Sequence, residues 1–106
     1  MVTVKVWRVQ NYMGNGPYQA SWQLKRFLCE DHASIQTHPA AFDDFQKHDV
    51  EASIFGFLDK KDALSWFGNY WLDQMARHGF KLVEIEALSA SVVIGRSCRQ
   101  IVFTPA

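Results

Sequence analysis

The sequence predicts an α+β domain, a small antiparallel or mixed sheet with helices packed on one face. Two observations carry this. The stretch Ile54 to Phe80 has helical spacing with marked ends, and short runs on either side of it alternate apolar and polar residues with a period of two. With 106 residues and an apolar fraction of 48%, the chain can bury one core and not two, so residues 1–106 form a single domain.

Val2, Val4 and Val6 alternate with Thr3, Lys5 and Trp7 ahead of Val9, which places a first strand over roughly residues 2–10. Asn11 to Tyr18 holds two glycines, two asparagines and a proline, so the chain turns there with aromatic residues in the turn. Ala20 to Cys29 sets Trp22, Phe27 and Leu28 among polar residues, a weakly amphipathic segment that forms a short helix or lies across the surface. From Glu30 to Val50 periodicity disappears. That stretch holds three of the four histidines and reads as a long connection, with Pro39 suited to open one helical turn.

Ala52 to Phe57 is a short apolar run that reads as a strand feeding the helix. Within the helix Leu64, Phe67, Trp71 and Met75 recur at three- and four-residue steps, with Ala63 and Tyr70 widening a stripe that should face the core. Asp59 stands at the N-cap position, Asp62 favours the positive end of the helix dipole, and His78-Gly79-Phe80 has the form of a glycine-terminated last turn. Glycine costs about 1 kcal/mol against alanine inside a helix, so Gly68-Asn69 predicts a break. Beyond Gly79, Leu82, Glu84 and Glu86 oppose Val83, Ile85 and Ala87. Val92 to Ile94 and Gln100 to Phe103 follow, giving three strands joined by tight turns.

Eleven basic and eleven acidic side chains cancel, which argues against phosphate backbones or anionic lipid as the main partner. No apolar run approaches the roughly 18 residues of a membrane span. The start MVTVKVWRVQ lacks the layout of a signal peptide, so a cytoplasmic location without membrane contact is expected. In a reducing compartment Cys29 and Cys98 are expected as two small, half-buried thiols rather than a disulfide.

Arg8, inside the first strand, could meet a carboxylate or phosphate bidentately, although an exposed arginine on the strand's polar face is the plainer reading. Gly14-Asn15-Gly16-Pro17 beside Tyr18 offers unhindered main-chain N–H groups, or a plain glycine turn. Cys29 and His32, with His38 and His48, have zinc-ligand chemistry but are strewn through a loop without a closed four-ligand set, so no metal is assigned. No nucleophile or metalloprotease motif is present. Asp43-Asp44 beside Phe42 and Phe45 forms an acidic, aromatic cluster, and Trp66 and Tyr70 lie one helical turn apart, off the centre of the apolar stripe. Aromatic residues rimmed by acids anchor protein interfaces, so Phe42, Asp43, Asp44, Phe45, Trp66 and Tyr70 are the expected partner-binding residues.

VWRVQN (Val6 to Asn11), SIFGFLDKKDALSWF (Ser53 to Phe67) and RQIVFTP (Arg99 to Pro105) together resemble a degenerate ADP-ribosyltransferase pattern. The resemblance implies Arg8 as the NAD-holding residue, Tyr18 among the cofactor-binding residues, Phe55 or Phe57 flanking the nicotinamide, and Gln100 in place of the family's glutamate. Glutamine lacks the charge that stabilises a developing cation, a term worth about 3–4 kcal/mol of barrier, so activity should be weak or lost. The whole chain also resembles small proteins encoded by bacterial phages and prophages. That resemblance implies an accessory protein that binds a bacterial host protein and inhibits or modulates it, as anti-CRISPR proteins do, with no cofactor. The alternative is an NAD-consuming transferase or hydrolase using Arg8 and Gln100.

Overall fold

The computed structural model describes residues 2–16, 44–46 and 54–106. Among them run β1 (Thr3–Gln10), β2 (Ile54–Gly56), α1 (Lys60–Arg77), β3 (Lys81–Leu88), β4 (Val93–Ile94) and β5 (Ile101–Phe103), an α+β fold. Each strand falls within a run that the sequence assigns to a strand, by alternation or as a short apolar run. The segment Ala20–Cys29 lies outside the described residues, as does the 30–50 connection apart from 44–46.

β1 and β3 pair antiparallel, with Val4 opposite Ala87 and Val6 opposite Ile85. β2, β5 and β4 form a second antiparallel sheet with β5 at its centre. Two single bridges join the sheets, Trp7 to Phe57 and Ala87 to Pro105. Trp7 and Phe57 exchange both main-chain hydrogen bonds, at 2.7 and 2.8 Å. On the far side the Leu88 N–H donates to the Thr104 carbonyl and the Ala106 N–H to the Glu86 carbonyl. Main-chain pairing therefore runs in a closed circuit from β1 through β3, the residues after β5, β5 itself and β2 back to β1.

Strand alternation gives the β1–β3 ribbon two covered faces. Val4, Val6, Ile85 and Ala87 meet Ile54, Val92, Ile101 and Phe103 of the second sheet and its approaches. On the opposite face Trp7, Val9 and Leu82 meet Ala63, Trp66, Phe67 and Met75 of α1. The helix covers only one end of that face. Toward the other end Lys5, Glu84 and Glu86 are exposed, and the Lys5–Glu84 pair at 3.8 Å contributes little in water.

The break in α1 falls at Gly68, whose φ of 76° and ψ of 159° are non-helical. It corrects the expected stripe. With the helical phase reset at Gly68, the first half buries Ala63, Trp66 and Phe67 while the second buries Met75 and half-buries Trp71 and Leu72. Leu64 and Tyr70, expected on the core side, are exposed. Asp59 occupies the N-cap but makes no side-chain cap bond. Its carbonyl instead accepts the N–H groups of Asp62 and Ala63. At the other end the Gly79 N–H bonds to the Ala76 carbonyl and the Phe80 N–H to the Met75 carbonyl, a Schellman closure with Gly79 at φ 85°.

Candidate functional site

The chain leaves β1 through a turn locked from within. The Asn11 side-chain oxygen accepts the N–H groups of Met13 at 3.0 Å and Asn15 at 2.9 Å. Asn11's own N–H donates to the Asn15 carbonyl, and its carbonyl accepts the Gly14 N–H. An asparagine side chain standing in for main-chain partners is the usual way a tight turn is fixed. Its tip points two large apolar groups at solvent: Tyr12 is 95% exposed and Met13 68%.

Arg8 lies beneath this turn, and the exposed arginine expected from strand alternation is corrected. Arg8 is in phase with Val4 and Val6, so its side chain enters the covered face and is only 7% exposed. The guanidinium is held by Nη1 donating to the Phe55 carbonyl at 2.6 Å, Nη2 to the Gly14 carbonyl at 3.1 Å and Nε to Gln10 Oε1 at 3.2 Å. Burial lowers its pKa from the ordinary value, because the charged form loses hydration. Among the described residues no carboxylate pairs with it; neutral oxygens carry the charge. An open cleft of about 360 Å³ beside it is lined by Gln10, Gly14, Ile54, Ile85, Glu86 and the residues at Pro105 and Ala106.

Asp44 is the second buried charge, 2% exposed. The turn between β4 and β5 wraps its carboxylate: Oδ1 accepts the Ser97 N–H at 2.6 Å, while Oδ2 accepts Ser97 Oγ at 2.9 Å and Gln100 Nε2 at 3.0 Å. Its carbonyl accepts the Arg96 N–H at 2.9 Å. This carboxylate is a structural pin. Phe45 beside it is buried edge-on to Phe55, with ring centroids 5.8 Å apart.

Of the residues expected to bind a partner, Asp44, Phe45 and Trp66 are therefore turned inward. Trp66 is 4% exposed, packed on Phe57 and covered by the Arg99 guanidinium 5.3 Å from its ring. Tyr70 alone of the described members is on the surface, 67% exposed and edge-on to Trp71. Phe42 and Asp43 lie outside the described residues, as do Tyr18, Cys29, His32, His38 and His48. Of the residues that the enzyme resemblance implied, Phe57 is buried in the helix-facing core and Phe55 is half-buried. Gln100 is buried and donates to Asp44, and no hydrogen bond joins it to Arg8. Cys98 is free and exposed rather than half-buried.

Sequence reasoning missed Tyr12 and Met13. The signal available was their position between Asn11 and Gly14, where turn chemistry leaves two large apolar side chains without a core to enter. Among the described residues no group of three or more His, Cys, Asp or Glu side chains gathers, and no helix is long and apolar enough to cross a membrane.

No curated protein and no solved structure matches the chain, and the resemblance to ADP-ribosyltransferases finds no counterpart in these comparisons. A family model described as Bacteriophage T4 Y00F protein matches residues 3–106. That span takes in every element described above, from the first residue of β1 to the end of the tail that closes onto β3, and the chain accordingly belongs to this phage protein family.

Proposed function

We propose that this phage-family protein acts by binding a bacterial host protein and inhibiting or modulating it, with a host defence component as the target class. The observation that carries this reading is the outward display of Tyr12 and Met13 on a turn that is already ordered. Tyrosine and methionine are enriched at interfaces, and an ordered turn meets its partner without the entropy cost of fixing a loose one. No ionised side chain lies between Val9 and Gly16, so the complementary surface is an uncharged apolar pocket rather than a phosphate backbone or an anionic bilayer. Arg8 and Gln100, on which an NAD-consuming reaction would depend, are engaged separately, with main-chain carbonyls and Gln10 in one case and with Asp44 in the other.

The test is affinity capture from lysate of the bacterial host with the wild-type chain and with the double variant Tyr12→Ala/Met13→Ala. One stoichiometric host protein, recovered by the wild type and lost by a double variant of unchanged unfolding midpoint, supports the reading. Equal recovery by both rejects this turn as the docking surface.

A further inference from the structure

Among the described residues the β1–β2 ladder consists of the Trp7–Phe57 pair. Two residues further along each strand an antiparallel ladder would bring Val9 opposite Phe55. Instead the Phe55 carbonyl accepts Arg8 Nη1. The same guanidinium reaches the turn through Nη2 and the Gly14 carbonyl, and it steadies Gln10 through Nε. Gly16 packs against it: a Cβ at that position would lie 3.3 Å from Nη2. One planar, buried cation thus spans β2, the end of β1 and the turn, just where main-chain pairing stops.

We infer that Arg8 is a positioning residue for the Tyr12–Met13 surface. It fixes the turn to the second sheet and so sets the direction in which the two apolar side chains point. A guanidinium can do this because its donors diverge in a fixed plane; a lysine ammonium on the same stem is a point donor and cannot hold two carbonyls on different elements in the same way. Asn11 sets the internal shape of the turn, and Arg8 sets its orientation on the body of the protein. The consequence for binding rests on the docking reading above, whereas the positioning itself is measurable without any partner.

The experiment is amide hydrogen exchange on the full chain, comparing wild type with Arg8→Lys and with Gly16→Ala, which crowds Nη2 without removing the charge. Losing a charge-assisted hydrogen bond should speed exchange at Met13, Gly14 and Asn15 by about tenfold or more, while amides of the β1–β3 ladder keep their protection. The Gly16→Ala chain should show the same pattern and stands in if Arg8→Lys does not fold. Wild-type protection in the turn overturns the inference. So does loosening of turn and ladder by the same factor, which is what a merely structural arginine would give. If the turn loosens as expected but the Tyr12→Ala/Met13→Ala chain still captures the host protein, the docking reading fails and the positioning stands. If the double variant loses capture while the turn amides are unmoved by Arg8→Lys, the positioning alone fails.

Discussion

Gly95 lies directly against the Asp44 carboxylate, so closely that a Cβ at position 95 would overlap both oxygens and the carbon between them. Neither side can retreat. The Gly95 N–H is committed to the Gln100 carbonyl, and Asp44 is fixed by Ser97, Gln100 and the Arg96 N–H. Overpacking of this kind costs about 1–3 kcal/mol, so Gly95→Ala should lower the urea unfolding free energy by that amount without a change in denaturant slope. An unfolding midpoint equal to wild type would show that the turn shifts freely.

Asp44→Ala removes the acceptor for three donors at once. Leaving buried donors unpaired costs about 1–3 kcal/mol for each group that water cannot reach, so a total loss of about 2–4 kcal/mol is expected. Asp44→Asn keeps one acceptor oxygen and should lose less. A double-mutant cycle with Gln100→Ala should give a coupling of about 1–2 kcal/mol, read by chemical unfolding; additive effects would mean that the 3.0 Å contact does not hold in solution.

Gly68→Ala separates propensity from conformation. On propensity alone the substitution gains about 1 kcal/mol. Gly68, however, sits at φ 76° and ψ 159°, a region essentially reserved for glycine, where a side chain is strained by about 1–3 kcal/mol although nothing lies within 4 Å of the added carbon. A net loss of stability is therefore expected. A gain, with increased helical circular dichroism, would mean that the two halves of α1 straighten without losing the burial of Trp66 and Met75.

Burial lowers the Arg8 pKa, so the folded protein holds that proton less firmly than the unfolded chain does. By linkage, the unfolded state binds more protons only at pH values above the folded-state pKa, and only there does stability rise with pH on this account. At lower pH both states are fully protonated and Arg8 contributes no slope. Arg8→Met should be destabilised by about 2–4 kcal/mol, since the Phe55 and Gly14 carbonyls lose a charged donor. That difference should stay constant to within about 0.5 kcal/mol between roughly pH 5 and 9. A difference that varies more would reveal a titrating group facing the guanidinium.

β1 and β3 were legible from their period of two, the shorter β2, β4 and β5 as brief apolar runs, and the helix because its cap positions and glycine exit are local features. Which side each half of the helix buries was not legible: a break was readable from glycine cost, but the rotation it sets between the half carrying Leu64 and the half carrying Tyr70 depends on dihedrals that no composition encodes. Arg8 was misjudged for a related reason. Its register with Val4 and Val6 was visible, yet the polarity of arginine suggested solvent, and what lets it enter is a pair of main-chain carbonyls supplied by Phe55, far along the chain, and Gly14. Asp44 looked like part of an acidic surface because Gly95, Ser97 and Gln100, which enclose it, read in isolation as an ordinary turn. Tyr12 and Met13 lay in a recognised turn, and only the absence of any core contact marks them as outward.

The circuit that runs from Thr3–Gln10 through Lys81–Leu88 to Pro105 and back through Phe57 also dictates when this fold can be completed. During synthesis β1 leaves the ribosome first but has no neighbour until β2 and later β3 emerge, and the ring is sealed only after Pro105 has cleared the exit tunnel. Until then the outer edge of β3, and before β5 arrives that of β2, lie unpaired. Refolding of the released chain should accordingly be governed by ring closure between sequence-distant strands, slow for a protein of this size, and nascent chains stalled before Pro105 should be the species that a chaperone recognises.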